Sequence, residues 1–143
     1  MSSLMPFAIG TALALAVSAY AAWIGFDKDR AFYPTVLVVV AAYYVLFAAM
    51  AGGARTTIVE VAIAAIFLIA ASLGFRRNLW LVAAALAAHG ILDAFHGEII
   101  SNPGVPAWWP AFCATYDLTA GALLAVLLLR HRVLPERRIE RSK

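Results

Sequence analysis

Five apolar runs of about 20 residues each dominate the sequence, and a run of that length is long enough to cross a bilayer as a helix. They cover Met5–Phe26, Ala31–Ala51, Ile58–Gly74, Leu79–Ile100 and Trp108–Leu129. Backbone groups in lipid need hydrogen-bond partners within the chain, so each run is predicted to be helical. The sequence therefore predicts an all-α integral membrane bundle of five transmembrane helices within residues 1–129.

The composition excludes several other classes of protein. Of the 143 residues, 64% are apolar and only 13% are charged, which is too apolar for a small soluble domain to hide. The same values exclude a disordered chain and a nucleic-acid binder, and the single cysteine excludes a disulfide scaffold. We therefore expect the lipid bilayer to be the main partner.

The basic residues predict the orientation, because they concentrate on the cytoplasmic side of membrane proteins. Two lie in the first predicted loop (Lys28, Arg30), two in the third (Arg76, Arg77) and six in the tail after Leu129, whereas Arg55 stands alone in the second loop. With five spans, the first and third loops share a side with the tail. We therefore predict an external N-terminus and a basic cytoplasmic tail over residues 130–143.

Six ionisable residues lie within the predicted spans, where charges are rare and usually functional. They are Glu60, His89, Asp93, His96, Glu98 and Asp117. His89, Asp93 and His96 recur at spacings of four and three, so they share one face of the fourth span. Glu98 lies on the opposite face and is expected to point at water. Counted along the spans, His89 lies near the midplane of the membrane and the other residues lie in its outer half.

On the fifth span, Cys113 and Asp117 share a face that is expected to oppose the histidine face, because a short turn joins the two spans. Imidazole and carboxylate groups from facing helices are a common metal-ligand set in bundles. The sequence predicts a site for a divalent transition metal (Zn, Fe, Mn or Cu), with the ligands His89, Asp93, His96 and Asp117. Cys113, Glu60 and Asn102 are additional candidates.

Three interpretations of this cluster stay open. It could hold a metal and act on a lipid-like or apolar substrate as a metalloenzyme, with a metal-bound water as the reactive group. It could relay protons or cations in transport. It could also be a hydrogen-bonded network that holds helices together, in a homo-oligomer or an accessory subunit of a larger membrane complex. Whether the protein is an enzyme is left open by the residues alone.

Residues Leu81–Gly121 resemble a small family of bacterial multi-pass membrane proteins of unknown function. The matching pieces are a His-x3-Asp-x2-His motif (His89, Asp93, His96), an Asn-Pro-x2-Pro motif from Asn102 and a Cys-x3-Asp motif (Cys113, Asp117). Some relatives carry a second histidine and a second cysteine where this chain has Gly97 and Tyr116, which implies fewer ligands here. The resemblance implies the bacterial inner membrane and no particular activity.

Overall fold

The computed structural model describes residues 4–133, and every regular element in that part of the chain is a helix. Helix α1 covers Met5–Ile24 and is followed by a 3-10 turn at Phe26–Lys28. Helix α2 is a helical stretch over Phe32–Arg76, α3 covers Leu79–Ile99 and α4 covers Trp109–Leu129. The prediction of an all-α protein is confirmed.

Four helices, rather than the five predicted, are long and apolar enough to cross a membrane. The second and third predicted runs form the single stretch α2, so the prediction of a loop at Gly52–Thr57 is wrong. A first arm, Phe32–Phe47, continues through π-helical Ala48–Gly52 into a second arm, Gly53–Arg76. Helical bonding includes the polar residues that suggested a loop, and the Thr57 hydroxyl donates to the Gly53 carbonyl oxygen at 2.9 Å.

The two arms of α2 lie against each other because the chain turns back at Gly53. A straight helix of 45 residues would be about 68 Å long, more than twice the thickness of a hydrocarbon core. Gly53 has a φ of +76°, which glycine adopts without steric cost. At the far ends of the arms, Arg30 Nη2 donates to the Phe75 carbonyl oxygen at 2.7 Å. Both ends of α2 therefore lie on the same side of the molecule.

Helix α4 is central to the packing, since it contacts both α1 and α3, while the second arm of α2 packs on α3. The hydrophobic core includes the fully buried Leu37, Leu86 and Leu124. Helices α3 and α4 approach closely at Gly90, where a Cβ would lie 2.8 Å from the Ala114 carbonyl oxygen. Only a glycine allows this approach, which brings the polar face of α3 onto that of α4.

The remaining predicted boundaries need small corrections. Helix α1 ends at Ile24 because Gly25 takes a left-handed conformation with φ +86°, and its N–H bonds to the Ala21 carbonyl oxygen. The loop between α3 and α4 begins at Ile100 and ends at Trp108. Most of the predicted basic tail, from residue 134 onward, lies outside the described residues.

Large apolar side chains cover the outside of the bundle. Trp23 is 83% exposed and Met50 is 75% exposed, and each of the four helices carries further exposed aliphatic or aromatic residues. Soluble monomers rarely expose contiguous apolar surface on this scale. The surface is compatible with a lipid environment.

Candidate metal centre

Helices α3 and α4 bring three ionisable side chains together inside the bundle. His89 and Asp93 are one turn apart on α3, and Asp117 faces them from α4. His89 is 2% exposed, and both aspartates are fully buried. The prediction that these residues share a buried face between neighbouring helices is confirmed.

The His89 imidazole lies between the two carboxylates. Its Nδ1 is 2.6 Å from Asp117 Oδ2, a hydrogen bond in which the nitrogen donates, and 3.3 Å from Asp93 Oδ2. One nitrogen of His89 and one oxygen of each aspartate all lie within 4.8 Å of one another. This group could hold a metal ion, and we refer to His89, Asp93 and Asp117 as the ligand triad.

Three carboxylate oxygens of the ligand triad are buried without a hydrogen-bond partner. They are both oxygens of Asp93 and Oδ1 of Asp117. Neither α3 nor α4 contains a lysine or an arginine that could balance the two acidic groups. Because buried carboxylates are costly unless they are paired or bind a cation, the donor set fits a metal ion of charge +2 with a neutral imidazole.

Aromatic rings pack around the His89 imidazole. The Phe67 ring, from the second arm of α2, meets the His89 ring edge-on with centroids 4.7 Å apart. The Tyr44 ring, from the first arm, lies 6.1 Å from it. The ligand triad is therefore enclosed by side chains from three helices, and a low-dielectric surrounding strengthens its electrostatic interactions.

His96, which the sequence placed among the ligands, belongs to a second polar group. Its Nε2 donates to Glu60 Oε1 at 2.9 Å, and Asn102 Nδ2 donates to the same oxygen at 2.9 Å. Seven residues separate His96 from His89, which is about 10 Å along a helix axis. The side chain of Glu60, from the second arm of α2, reaches His96 at that level. We call Glu60, His96 and Asn102 the anchor triad.

The anchor triad ties the loop between α3 and α4 to both arms of α2. Asn102 Nδ2 also donates to the Tyr44 carbonyl oxygen at 3.2 Å, and Asn102 Oδ1 accepts from the Gly104 N–H at 3.2 Å. Glu60 and His96 are each 2% exposed. The two additional candidates Glu60 and Asn102 thus lie with His96 and outside the ligand triad.

The structure also locates the other two residues considered in the sequence, Cys113 and Glu98. Cys113 is 2% exposed and lies one turn before Asp117 on α4, but it is outside the group within 4.8 Å. Glu98 is exposed, as expected from its place on the opposite face of α3.

Sequence reasoning missed Tyr44 as a member of the site. Its ring is 3% exposed and stacks on the His96 ring, with centroids 4.1 Å apart and planes at 24°. Its hydroxyl is buried and has no hydrogen-bond partner. The available signal was a tyrosine on a buried helix face, since a buried phenol usually needs a polar neighbour. That signal does not reveal which neighbour the hydroxyl meets.

No protein-family model matches the chain. Comparisons with curated proteins and with solved structures likewise found no match. The resemblance over Leu81–Gly121 therefore stays a prediction.

Proposed function

We propose that this chain is an integral membrane protein that binds a divalent transition-metal cation at the ligand triad. The observation that carries the proposal is the convergence of His89, Asp93 and Asp117 within 4.8 Å in a fully buried position. Carboxylates in a membrane interior are expensive and mark functional sites. In this protein two carboxylates lie beside one imidazole, and three of their oxygens have no hydrogen-bond partner.

A divalent cation balances the charges of the two aspartates. A protonated His89 between two ionised aspartates leaves one uncompensated negative charge in a low-dielectric interior. A divalent cation with a neutral imidazole leaves none, and it also occupies the carboxylate oxygens that have no partner. Zn, Fe, Mn and Cu all accept nitrogen and oxygen ligands of these types.

A metalloenzyme acting on an apolar substrate is the activity that best fits this site. Three protein ligands leave a coordination position for water, which a bound cation makes more acidic. A groove of about 500 Å³ lies near the site between α1, the first arm of α2 and α4. Its wall is mostly apolar and includes Val36, Val40 and Phe112. Cys113 lines the groove one turn from Asp117, so an apolar chain bound in the groove would lie close to the triad.

We also propose an inner-membrane location in a bacterium, with the C-terminal side of α4 in the cytoplasm. Helix α2 begins and ends on the same side of the molecule, so it does not change the side on which the chain continues. The orientation of the protein therefore depends on α1 and on the α3–α4 pair. Six of the seven basic residues between positions 4 and 133 flank the same end of the bundle, and Arg55 is the exception. The excess of positive charge marks that end as cytoplasmic. The anchor triad and its loop then lie between the ligand triad and the outside.

Metal analysis of the full-length protein tests the proposal. The protein is extracted in mild detergent without chelators, and its bound metals are counted by mass spectrometry. We expect close to one ion per chain in the wild type, and less than a tenth of that in His89→Ala and in Asp117→Asn. Wild-type protein that contains no metal, and takes none up from Zn, Fe, Mn or Cu solutions, would refute the proposal.

Two matched substitutions control for general damage. His131→Ala removes an exposed histidine beyond the end of α4, and Glu98→Gln neutralises an exposed carboxylate on α3. Both should keep the wild-type metal content. A loss of metal in either control would mean that the binding site lies elsewhere.

Proton- or cation-coupled transport is the second candidate, and the polar path from the anchor triad to the ligand triad favours it. On that proposal the protein carries no tightly bound metal, and pH-dependent flux is measurable in liposomes. From His89 toward the cytoplasmic end, however, α3 has no ionisable residue, and α4 has none between Asp117 and Leu129. A continuous path across the membrane would need groups outside these two helices.

A further inference from the structure

A groove on the surface of the bundle separates α1 from the first arm of α2. These two helices have no close backbone contact with each other in the described part of the chain, whereas α4 contacts both and lines the space between them. The groove has a volume of about 500 Å³, and its walls include Leu13 of α1, Val39 of the first arm and Phe112 of α4. We call this cavity the lateral groove. Its volume is typical of sites that bind small organic ligands.

The length of the lateral groove matches that of a lipid chain in one leaflet. On the first arm its lining residues extend from Phe32 to Tyr43, which is about 17 Å at the rise of an α-helix. Half of the hydrocarbon core of a bilayer is about 15 Å thick. An extended acyl chain that crosses one leaflet therefore fits along the groove.

The two ends of the lateral groove differ in polarity. Among the described residues that line it, Asp29 is the only charged one, and it lies just before the start of the first arm. The Ala31 N–H donates to Asp29 Oδ1 at 2.8 Å, which leaves Oδ2 to accept from another donor. At the opposite end the Trp109 ring packs on the Tyr43 ring, with centroids 4.9 Å apart. A ligand with a polar head and an apolar chain would place its head at Asp29.

Charges of both signs occur at the polar end. Asp27 and Asp29 alternate with Lys28 and Arg30 along the chain, and Lys28 and Asp29 are exposed. An ammonium group can donate a charge-assisted hydrogen bond to Asp29, and a phosphate group can accept one from Lys28. A purely anionic headgroup would add negative charge beside two aspartates. This pattern favours a headgroup that carries both an ammonium and a phosphate.

We infer that the lateral groove binds a zwitterionic phospholipid of the ethanolamine type, with its ammonium group at Asp29 and one acyl chain along the groove. The inference rests on the proposed function, because it names the apolar molecule beside the metal site and takes it from the cytoplasmic leaflet. Trp109 and Cys113 are one turn apart on α4, at the end away from Asp29. The far part of the acyl chain, rather than the headgroup, is therefore the part of the lipid nearest Cys113.

Photo-crosslinking in vesicles tests the inference. The full-length protein is reconstituted in phosphatidylcholine with a small share of phosphatidylethanolamine that carries a diazirine near the end of one acyl chain. Peptide mass spectrometry should find the label on residues of the lateral groove, such as Phe112 and Tyr43. Unlabelled phosphatidylethanolamine should compete about two- to fivefold better than phosphatidylcholine or phosphatidylglycerol, the range expected for an exposed ion pair.

Two substitutions with matched controls locate the bound lipid. Val39→Trp overfills the lateral groove and should reduce its labelling about tenfold. Val61→Trp is the control, because Val61 is exposed to a similar extent and lines a separate groove between the two arms of α2, where the described lining residues are all apolar. Asp29→Asn should abolish the preference for ethanolamine, whereas Glu98→Gln, at an exposed carboxylate on α3, should keep it.

The outcomes separate this inference from the metal site. Label spread equally over both grooves would show ordinary contact with bulk lipid and overturn the inference, as would equal competition by the three lipids. Labelling that Val39→Trp leaves unchanged would overturn it as well. The metal content of the same preparations is counted in parallel. A wild type with metal but no labelled groove refutes only the lipid site, whereas a labelled groove in a protein that binds no metal refutes only the proposed metal binding.

Discussion

The ligand triad and the anchor triad both use a histidine from the same face of α3, yet their hydrogen bonding differs. In the anchor triad, one oxygen of Glu60 accepts from both His96 and Asn102 at 2.9 Å. In the ligand triad, the imidazole nitrogen bonds to Asp117 only and lies 3.3 Å from Asp93, and three carboxylate oxygens have no hydrogen-bond partner. A balanced set of hydrogen-bond donors and acceptors holds helices together, whereas an excess of buried acceptors favours the binding of a cation.

The comparison separates two histidines that the sequence pattern had grouped together. His89 and His96 are buried to the same 2%, and both contact a carboxylate. The number of acidic groups around each histidine separates their roles, since His89 contacts two and His96 contacts one. The predictions below test this division of roles.

Replacing His89 and His96 one at a time gives the largest expected difference in metal affinity. We expect His89→Gln to weaken metal binding by more than about 100-fold, beyond the usual cost of disturbing a supporting residue. His96→Gln should change the affinity by less than about tenfold, below the range typical of residues that bond to a ligand, because His96 bonds to Glu60 and to none of the ligand triad. Metal titrations of the two variants under identical conditions measure this. Equal losses in both would contradict the separation into two triads.

Metal-linked stabilisation is the next largest effect. At a free metal concentration of 100 times Kd, the wild type should gain about 2.7 kcal/mol in its free energy of unfolding. Asp117→Asn should gain nothing, since it loses a ligand of the metal. Denaturant unfolding in detergent, with metal and with a chelator, measures the difference. A gain in Asp117→Asn equal to that of the wild type would show that the stabilising ion binds elsewhere.

The close approach of α3 and α4 is tested by Gly90→Ala. The added methyl group would lie 2.8 Å from the Ala114 carbonyl oxygen, so the helices must separate. We expect a loss of about 1–3 kcal/mol in stability and weaker metal binding, because Asp117 moves away from His89. Gly97→Ala is the control on the same helix, where a Cβ meets no atom within 4 Å. Unchanged metal affinity in Gly90→Ala would show that the close contact between α3 and α4 does not position the metal site.

The anchor triad is tested by Glu60→Gln, which keeps an acceptor oxygen but removes its charge. Loss of charge assistance should reduce stability by about 1 kcal/mol, while metal content stays at the wild-type level. Glu98→Gln, at an exposed carboxylate, should stay within about 0.5 kcal/mol of the wild type. Metal counts and unfolding curves are compared for the two variants. A metal-free Glu60→Gln protein with normal stability would assign Glu60 to the metal site.

Much of the architecture follows from local patterns in the sequence. The apolar runs predict the helices, because a chain in lipid must satisfy its own backbone groups. The spacing of His89 and Asp93 places them on one buried face, and the short loop after Ile99 makes α4 the neighbour of α3. These inferences depend on helical periodicity and loop length, which are properties of nearby residues.

The number of helices and the membership of the site needed more than local patterns. Helical segments that follow one another without a loop and turn back at Gly53 look like two separate spans in sequence, because the hydrophobicity falls there. The resemblance to a bacterial family did not help with this, since it covers only Leu81–Gly121 and specifies no arrangement of α2.

The sequence alone established a helical, lipid-compatible chain with His89, Asp93 and Asp117 on faces that meet. Helix packing decided that Glu60 reaches His96, that Asn102 holds the loop and that the Tyr44 ring stacks on His96. The physical reason is that these contacts depend on the rotation and axial register of α2 relative to α3 and α4. That register is set by side-chain packing between distant segments, and no spacing within a single helix encodes it.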